Sequence, residues 1–191
     1  MKAADLPLLV ALAPLVLLGV ACFLKFSIVL SLLGRAIGGR ALPHAVVAGV
    51  ALLLAAFVLA PVGEQVAADG RAAEPVRAFL ERRVPSEARR ELVELQRGLR
   101  PPAERDRVTD RDLVVLGPAF AVAELKAAFR VGFFLLLPFV LIDLLVAVVL
   151  LAVGVHTLEA RVIALPLKLL LFVAVDGWAL LTRGLLLGSS A

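Results

Sequence analysis

Charged residues sit singly inside apolar runs that are long enough to cross a membrane. Lys25 interrupts residues 6–33, Asp143 interrupts 131–158, and Lys168 and Asp176 lie within 162–182. An ionised group in hydrocarbon is costly and turns towards protein or water. Segments built this way are expected to pack against other protein around polar contacts. A fourth run, 41–63, carries no formal charge.

Composition supports that reading. The chain is 62% hydrophobic, and its mean hydropathy of +1.01 lies far above that of a soluble domain. The charges concentrate in residues 64–112, which hold 11 Arg and 11 Asp or Glu, so this block is about neutral. Too little polar surface remains for a soluble monomer, which implies a membrane or a hydrophobic oligomer. The net charge of +4 comes with no basic cluster interleaved with aromatics, which argues against nucleic-acid binding. One cysteine cannot form an internal disulfide or a zinc site. Cys22 follows Gly19-Val20-Ala21 but lacks the leucine of a lipoprotein cleavage site, so a buried structural thiol is expected.

The expected fold is an all-α membrane-type protein. Two long helical hairpins, residues 1–63 and 113–191, flank a small charged helical insertion at 64–112. The apolar run 6–24 is longer than the core of a secretory signal and resumes after Lys25, so a retained segment is expected. Pro14 can bend the first helix, and Lys25 can either snorkel to an interface or pair inside a complex. Gly38-Gly39 is expected to break that helix. Within the insertion, 74–84 and 85–99 have helical character with partial apolar faces, and Ser86 can cap the second. Pro101-Pro102 ends it.

Gly117-Pro118 is expected to interrupt the third segment, leaving 119–130 as an amphipathic helix with Glu124, Lys126 and Arg130. Pro138 is expected to kink the apolar run that follows. After a short break at 159–161, residues 162–182 form the last segment. On a continuous helix Lys168 and Asp176 would lie roughly 12 Å apart along the axis and about 80° apart around it. Their partners are therefore sought on other helices or subunits. Arg35 and Arg40 favour a cytoplasmic first turn, while the arginines of the large loop favour the opposite, so charge leaves the orientation open.

Nothing in the sequence assembles a catalytic or metal site. His44 and His156 stand alone, GRAIGG at 34–39 lacks the ending of a phosphate loop, and no serine has a nucleophile's context. No cofactor is expected. Two functions stay open on these residues. One is a subunit of a multi-protein pore or gate. The other is a small proton- or solute-coupled transporter using Asp143, Lys168 and Asp176 as coupling groups.

The ordered motifs PAFAVAELKAAFRVGFFLLLPFVLIDLLVA (118–147) and ALPLKLLLFVAVDGWALL (164–181) resemble the SctR/FliP family of export-apparatus proteins of type III secretion systems and bacterial flagella. FLKFSIVLSLLGRAIG (23–38) and VALLLAAFVLAPV (50–62) fit the family's N-terminal half. The residues that carry the match are Pro118, Phe120, Glu124, Lys126, Phe129, Gly132, Pro138, Phe139 and Asp143, then Pro166, Lys168, Asp176, Gly177 and Trp178.

The resemblance implies a non-enzymatic, multi-pass protein of the bacterial inner membrane, with its N-terminus outside and its large loop in the periplasm. It implies five copies joined to a small two-helix SctS/FliQ-like subunit and a larger SctT/FliR-like subunit in a helical, cone-like pore that protrudes towards the periplasm. A SctU/FlhB-like switch protein joins them, and unfolded secreted proteins pass through. It also implies that Lys25, Glu124, Lys126, Asp143, Lys168 and Asp176 serve as structural polar and intersubunit contacts.

The family's loop between the last two segments carries a glycine and three methionines that form a gasket. Here Gly154 is kept and Val155, His156 and Thr157 follow. The family's Gln-Gln and Pro-Pro-Asn after the first turn give way to Arg40-Ala41 and Leu42-Pro43-His44. The short N-terminus and Lys25 lean towards the injectisome branch over the flagellar one.

Overall fold

Apolar side chains dominate the long segments, and a helix satisfies its backbone internally, so these segments fold as helices. The computed structural model describes residues 5–38, 42–69, 73–155 and 157–187, and among them there is no strand. In chain order the helices are α1 (Asp5–Gly38), α2 (His44–Asp69), α3 (Ala73–Arg83), α4 (Ser86–Gly98), a 3-10 helix (Pro102–Arg107), α5 (Leu113–Ala152), α6 (Ala160–Ala174) and α7 (Gly177–Leu187). Three of them are long and apolar enough to cross a membrane, or four if the α6–α7 pair, bent by 65°, counts as one span. The chain divides into two compact units, one of residues 1–25 with 52–126 and one of 26–51 with 127–189. Stretches of α1, α2 and α5 belong to each.

In the first unit, Leu18, Ala21 and Cys22 of α1 are buried, as are Ala55, Val58 and Val62 of α2. The i, i+3, i+4 spacing identifies one buried face on each helix. Cys22 is a free, buried thiol. Helix α3 buries Val76 and Leu80, and its Phe79 meets Phe120 of α5 edge-on at 6.0 Å. Helix α4 follows Pro85, which occupies the N-cap position without a side-chain hydrogen bond. Ser86 is therefore the first helical residue rather than the cap, because the fixed φ of proline places the turn one residue earlier. Val93, Val108 and Val115 form a small core with Leu92 against it. Arg97 donates to the Val108 carbonyl at 3.1 Å and so holds the 3-10 segment against α4.

Arg111 bonds Glu81 of α3 at 2.8 Å. That hydrogen bond is the main reason the Glu81 carboxyl lies below its ordinary value and the Arg111 guanidinium above its own. A depressed carboxyl stabilises the fold above its unfolded pKa, and the contribution fades as pH falls through the lowered value. We expect the amide protection factors of α3, corrected for the intrinsic pH dependence of exchange, to fall on acidification through that range, and Arg111→Gln to remove this part of the pH dependence. An unchanged pH profile in Arg111→Gln would show that the pair does not tether α3.

Helix α5 runs unbroken for 40 residues through Gly117-Pro118 and Pro138, so the interruption expected at Gly117-Pro118 does not occur. Pro118 forfeits one backbone hydrogen bond and crowds the carbonyl four residues earlier, a cost of roughly 3 kcal/mol. Its neighbours Val115, Leu116, Ala119 and Phe120 are all 1% exposed or less, and each large apolar side chain so buried contributes about 1.5–3 kcal/mol. Packing outweighs the local rule. Glu124 belongs to this same buried face, while Lys126 and Arg130 are exposed.

The second unit corrects the reading of the last segment. Helix α5 ends at Ala152 and α6 begins at Ala160, so Arg161 already lies in α6. The run 162–182 is not one helix, because α6 stops at Ala174 and α7 restarts at Gly177. Asp176 between them has φ +50°, a left-handed backbone that Asp tolerates better than most residues. The helical geometry expected between Lys168 and Asp176 therefore does not apply.

The bend is filled by aromatics. Phe172 packs edge-on against Trp178 at 5.3 Å and beside Phe139 at 6.4 Å. A Cβ on Gly177 would overlap the Phe172 ring. We expect Gly177→Ala to destabilise this unit by about 1–3 kcal/mol through overpacking, read as a lower melting temperature of the purified protein. Gly49→Ala, with nothing within 4 Å of the new methyl, should be neutral or slightly stabilising. Equal effects of the two would show that the ring does not require the glycine.

Candidate functional site

The charged residues embedded in the apolar segments resolve into two pairs, one in each unit. In the first, Lys25 Nζ of α1 lies 2.8 Å from Glu124 Oε2 of α5, and the two side chains are only 2% and 4% exposed. Lys25 does not snorkel outward. It follows Leu18, Ala21 and Cys22 along the buried face of α1, so its direction is set by the helix register. Two buried opposite charges in contact compensate each other's desolvation, and neither is tolerable there alone.

In the second pair, Lys168 of α6 donates to Asp143 Oδ2 of α5 at 2.6 Å and to the Ala36 carbonyl of α1 at 2.8 Å. One ammonium thus ties three helices together. Ala36 lies in the last turn of α1, where carbonyls lack intrahelical donors and the helix dipole is negative, so a cation suits it on both counts. The two partners differ in burial. The Lys168 side chain is 5% exposed and that of Asp143 is 46%. Even so, Asp143 Oδ1 is itself covered and accepts no hydrogen bond among the described residues.

Asp176 joins neither pair and stands exposed at the α6–α7 bend. Lys126 is exposed on α5. Of the aromatic and backbone residues in the two motifs, Phe120 and Phe139 are buried, whereas Phe129 and Trp178 are 58% and 60% exposed. Gly132 is buried, and a Cβ there would come within 2.5 Å of Leu32 of α1. Pro118, Pro138 and Pro166 are exposed on their helices. The Ala36 carbonyl was not found by reading side chains. Its signal was the Gly38-Gly39 stop, which leaves the preceding carbonyls of α1 in need of donors.

The α5–α6 turn begins with a Schellman cap. Val155 N–H donates to Leu150 O at 2.9 Å, Gly154 N–H donates to Leu151 O at 3.1 Å, and Gly154 has φ +79°. This geometry calls for glycine at that position. Gly154 is thus explained by the way α5 ends, apart from any role in a conduit. Val155 is half-buried and Thr157 exposed, while His156 lies outside the described residues. Among the described residues no group of three or more His, Cys, Asp or Glu is placed to hold a metal.

Residues 6–185 match the FliP family. The chain is 36% identical to the hypersensitivity response secretion protein HrcR of Ralstonia nicotianae, over 92% of this chain and 91% of that protein. It is 36% identical to the Yop proteins translocation protein R of Yersinia pestis, over 94% and 91% respectively. It is 32% identical to the flagellar biosynthetic protein FliP of Bacillus subtilis, over 92% and 86%. With relatives from secretion and flagellar systems both aligned along nearly its whole length, this chain belongs to the FliP/SctR family of export-apparatus proteins.

Proposed function

We infer that this protein is a pore-forming core subunit of a type III export apparatus, conducting unfolded proteins across the bacterial inner membrane. Proteins of this family are structural parts of export gates rather than enzymes. The observation that carries the pore reading is α5. At ~1.5 Å per residue a helix of 40 residues is about 60 Å long, twice the ~30 Å of a hydrocarbon core. Val114, Phe129, Phe134, Leu145 and Leu151, spread along almost its whole length, are each more than half exposed. A single bilayer cannot cover that surface, whereas neighbouring subunits can.

The proposed assembly holds five copies, with SctS/FliQ-like, SctT/FliR-like and SctU/FlhB-like partners, in a cone raised towards the periplasm. In it, residues 64–112 form a periplasmic insertion between two hydrophobic hairpins. The injectisome branch is the proposed one, on Lys25 within the first segment. Asp143 and Lys168 are occupied with each other, which favours a structural role over proton or solute coupling.

The turn at 154–157 is proposed to line the passage, with Val155 taking the place of the softer methionines. The test is site-specific photocrosslinking from Val155 and Thr157 to a secretion substrate stalled in the assembled complex. We expect adducts from both positions and none from Leu99, exposed just after α4. No adduct in a complex shown to be loaded would remove this turn from the conduit.

A further inference from the structure

The acidic side chains among the described residues of the second unit are Asp143, Glu159 and Asp176. Asp143 is taken by Lys168, and Glu159 lies past the end of α5, just before α6. Asp176 has no ion-pair partner among the described residues. It stands exposed at the α6–α7 bend, and its neighbours in sequence Val173, Val175 and Trp178 are exposed as well. A carboxylate set in an apolar surface needs a cation once that surface is covered.

Two cations of the same unit are equally unanswered. Arg130 of α5 and Arg183 of α7 are exposed and have no ion-pair partner among the described residues. Gly184 lies beside Val131, where a Cβ would come 3.6 Å from Val131 Cγ1, so the two adjoining arginines sit at one level of the unit. Other arginines have local explanations. Arg35 occupies the last turn of α1, where a cation suits the helix dipole, and Arg161 follows Glu159 at the start of α6.

Within one chain the opposite charges are out of step. The Lys168–Asp143 and Phe172–Phe139 contacts set the register of α6 against α5. Continued by one turn, that register puts Asp176 roughly level with residue 135, about five residues or 7–8 Å along α5 from Arg130.

We propose that Asp176 of one copy docks between Arg130 and Arg183 of the next copy, a contact that rests on the multi-copy reading given above. Two guanidiniums can hold both oxygens of one carboxylate through charge-assisted hydrogen bonds. The contact is head-to-tail, because each copy gives the acid at one interface and receives it at another. The offset within the chain becomes an axial step between neighbours, so the contact fits a helical stack of copies rather than a flat ring.

The test uses the purified export complex holding two co-expressed forms of the full chain with different affinity tags, both with Cys22→Ala. One form carries Asp176→Cys and the other Arg130→Cys, and a short bismaleimide spans the distance between them. We expect an adduct that joins the two tags. Two forms that both carry Asp176→Cys should give none, because a head-to-tail contact does not bring a residue to its own copy. Charge is tested separately. Asp176→Asn, which keeps a residue tolerant of the left-handed backbone, should lower the complex surviving a detergent challenge roughly tenfold, as for one charge-assisted contact. Arg130→Gln with Arg183→Gln should do the same, and all three changes together should be no worse than either. Arg107→Gln, in the charged insertion, should leave recovery unchanged. If Asp176→Cys does not assemble, the asparagine and glutamine variants carry the test.

Absence of the adduct from a complex that retains both tags, or losses that add in the triple variant, overturns the contact and leaves the pore reading standing. Capture of Asp176→Cys by a different subunit would give the carboxylate to that subunit and likewise overturn it. Two tags that never co-purify would overturn the multi-copy reading, and this contact with it.

Discussion

Replacing Glu124 by alanine is expected to abolish assembly and export. The change removes the carboxylate that faces the ammonium of Lys25, whose side chain is 2% exposed, on a helix face that also buries Ala21 and Cys22. Breaking a buried pair in this way costs about 3–5 kcal/mol, a large share of the roughly 5–15 kcal/mol that holds a domain folded. Glu124→Gln keeps an acceptor for the ammonium and should be milder. The decisive variant is the double change Lys25→Met with Glu124→Leu, because replacing both charges with apolar groups of similar volume is often neutral or stabilising. Complex recovered on native gels should vanish in Glu124→Ala and return in the double variant. A double variant as defective as the single one would mean that the pair does more than satisfy its own burial. High salt should not mimic the mutation, since screening does not reach a buried contact.

Lys168→Ala is expected to have the second largest effect, about 3 kcal/mol, because it removes the donor to a carboxylate and to a helix-terminal carbonyl together. Asp143→Asn should cost less, on the order of 1 kcal/mol, since an amide oxygen still accepts from the ammonium. The 46% exposure of the Asp143 side chain points the same way. Lys168→Arg and Asp143→Glu, which preserve charge, should be milder than alanine at either site. Thermal stability of the purified complex and secretion in a complemented deletion strain provide the readouts. The order of effects separates two functions. A structural tie is hurt most by losing the lysine. A coupling carboxylate would make Asp143→Asn abolish transport while leaving the complex stable, and that outcome would revive the transporter reading.

The two buried pairs show how far the sequence could be read. Lys25, Asp143 and Lys168 announced themselves as charges in apolar runs, and the need for partners followed from desolvation alone. Which partner each would take did not follow. The long helices are apolar on all sides, so their faces carry no periodic signal. Leu18 and Phe26 are buried while Val16, Val20 and Leu24, of the same chemistry, are exposed.

Glu124 was misplaced for a related reason. Beside Lys126 and Arg130 it looked like part of a polar face, yet helical spacing turns it inward with Phe120 and Ala128. Pro118 misled because a local rule was weighed without the burial that overrides it. The α6–α7 break was written in Asp176-Gly177, one residue tolerant of a left-handed backbone and one without a Cβ. A polar residue in an apolar run drew attention to its charge instead. Helices α3 and α4 were legible, because in a charged block each apolar residue reports its own face.

The length of α5 has a further consequence for the life of the newly made chain. Before its neighbours arrive, roughly half of a ~60 Å helix has no bilayer to lie in, and exposed phenylalanines and leucines mark it for chaperones and membrane proteases. Survival then depends on how quickly the chain finds other subunits, so clearance of latecomers would set the ratio of components without a dedicated counting device. Made alone, the protein should be short-lived. Co-expression with the rest of the apparatus should lengthen its half-life in a pulse-chase measurement, and the gain should disappear in Glu124→Ala.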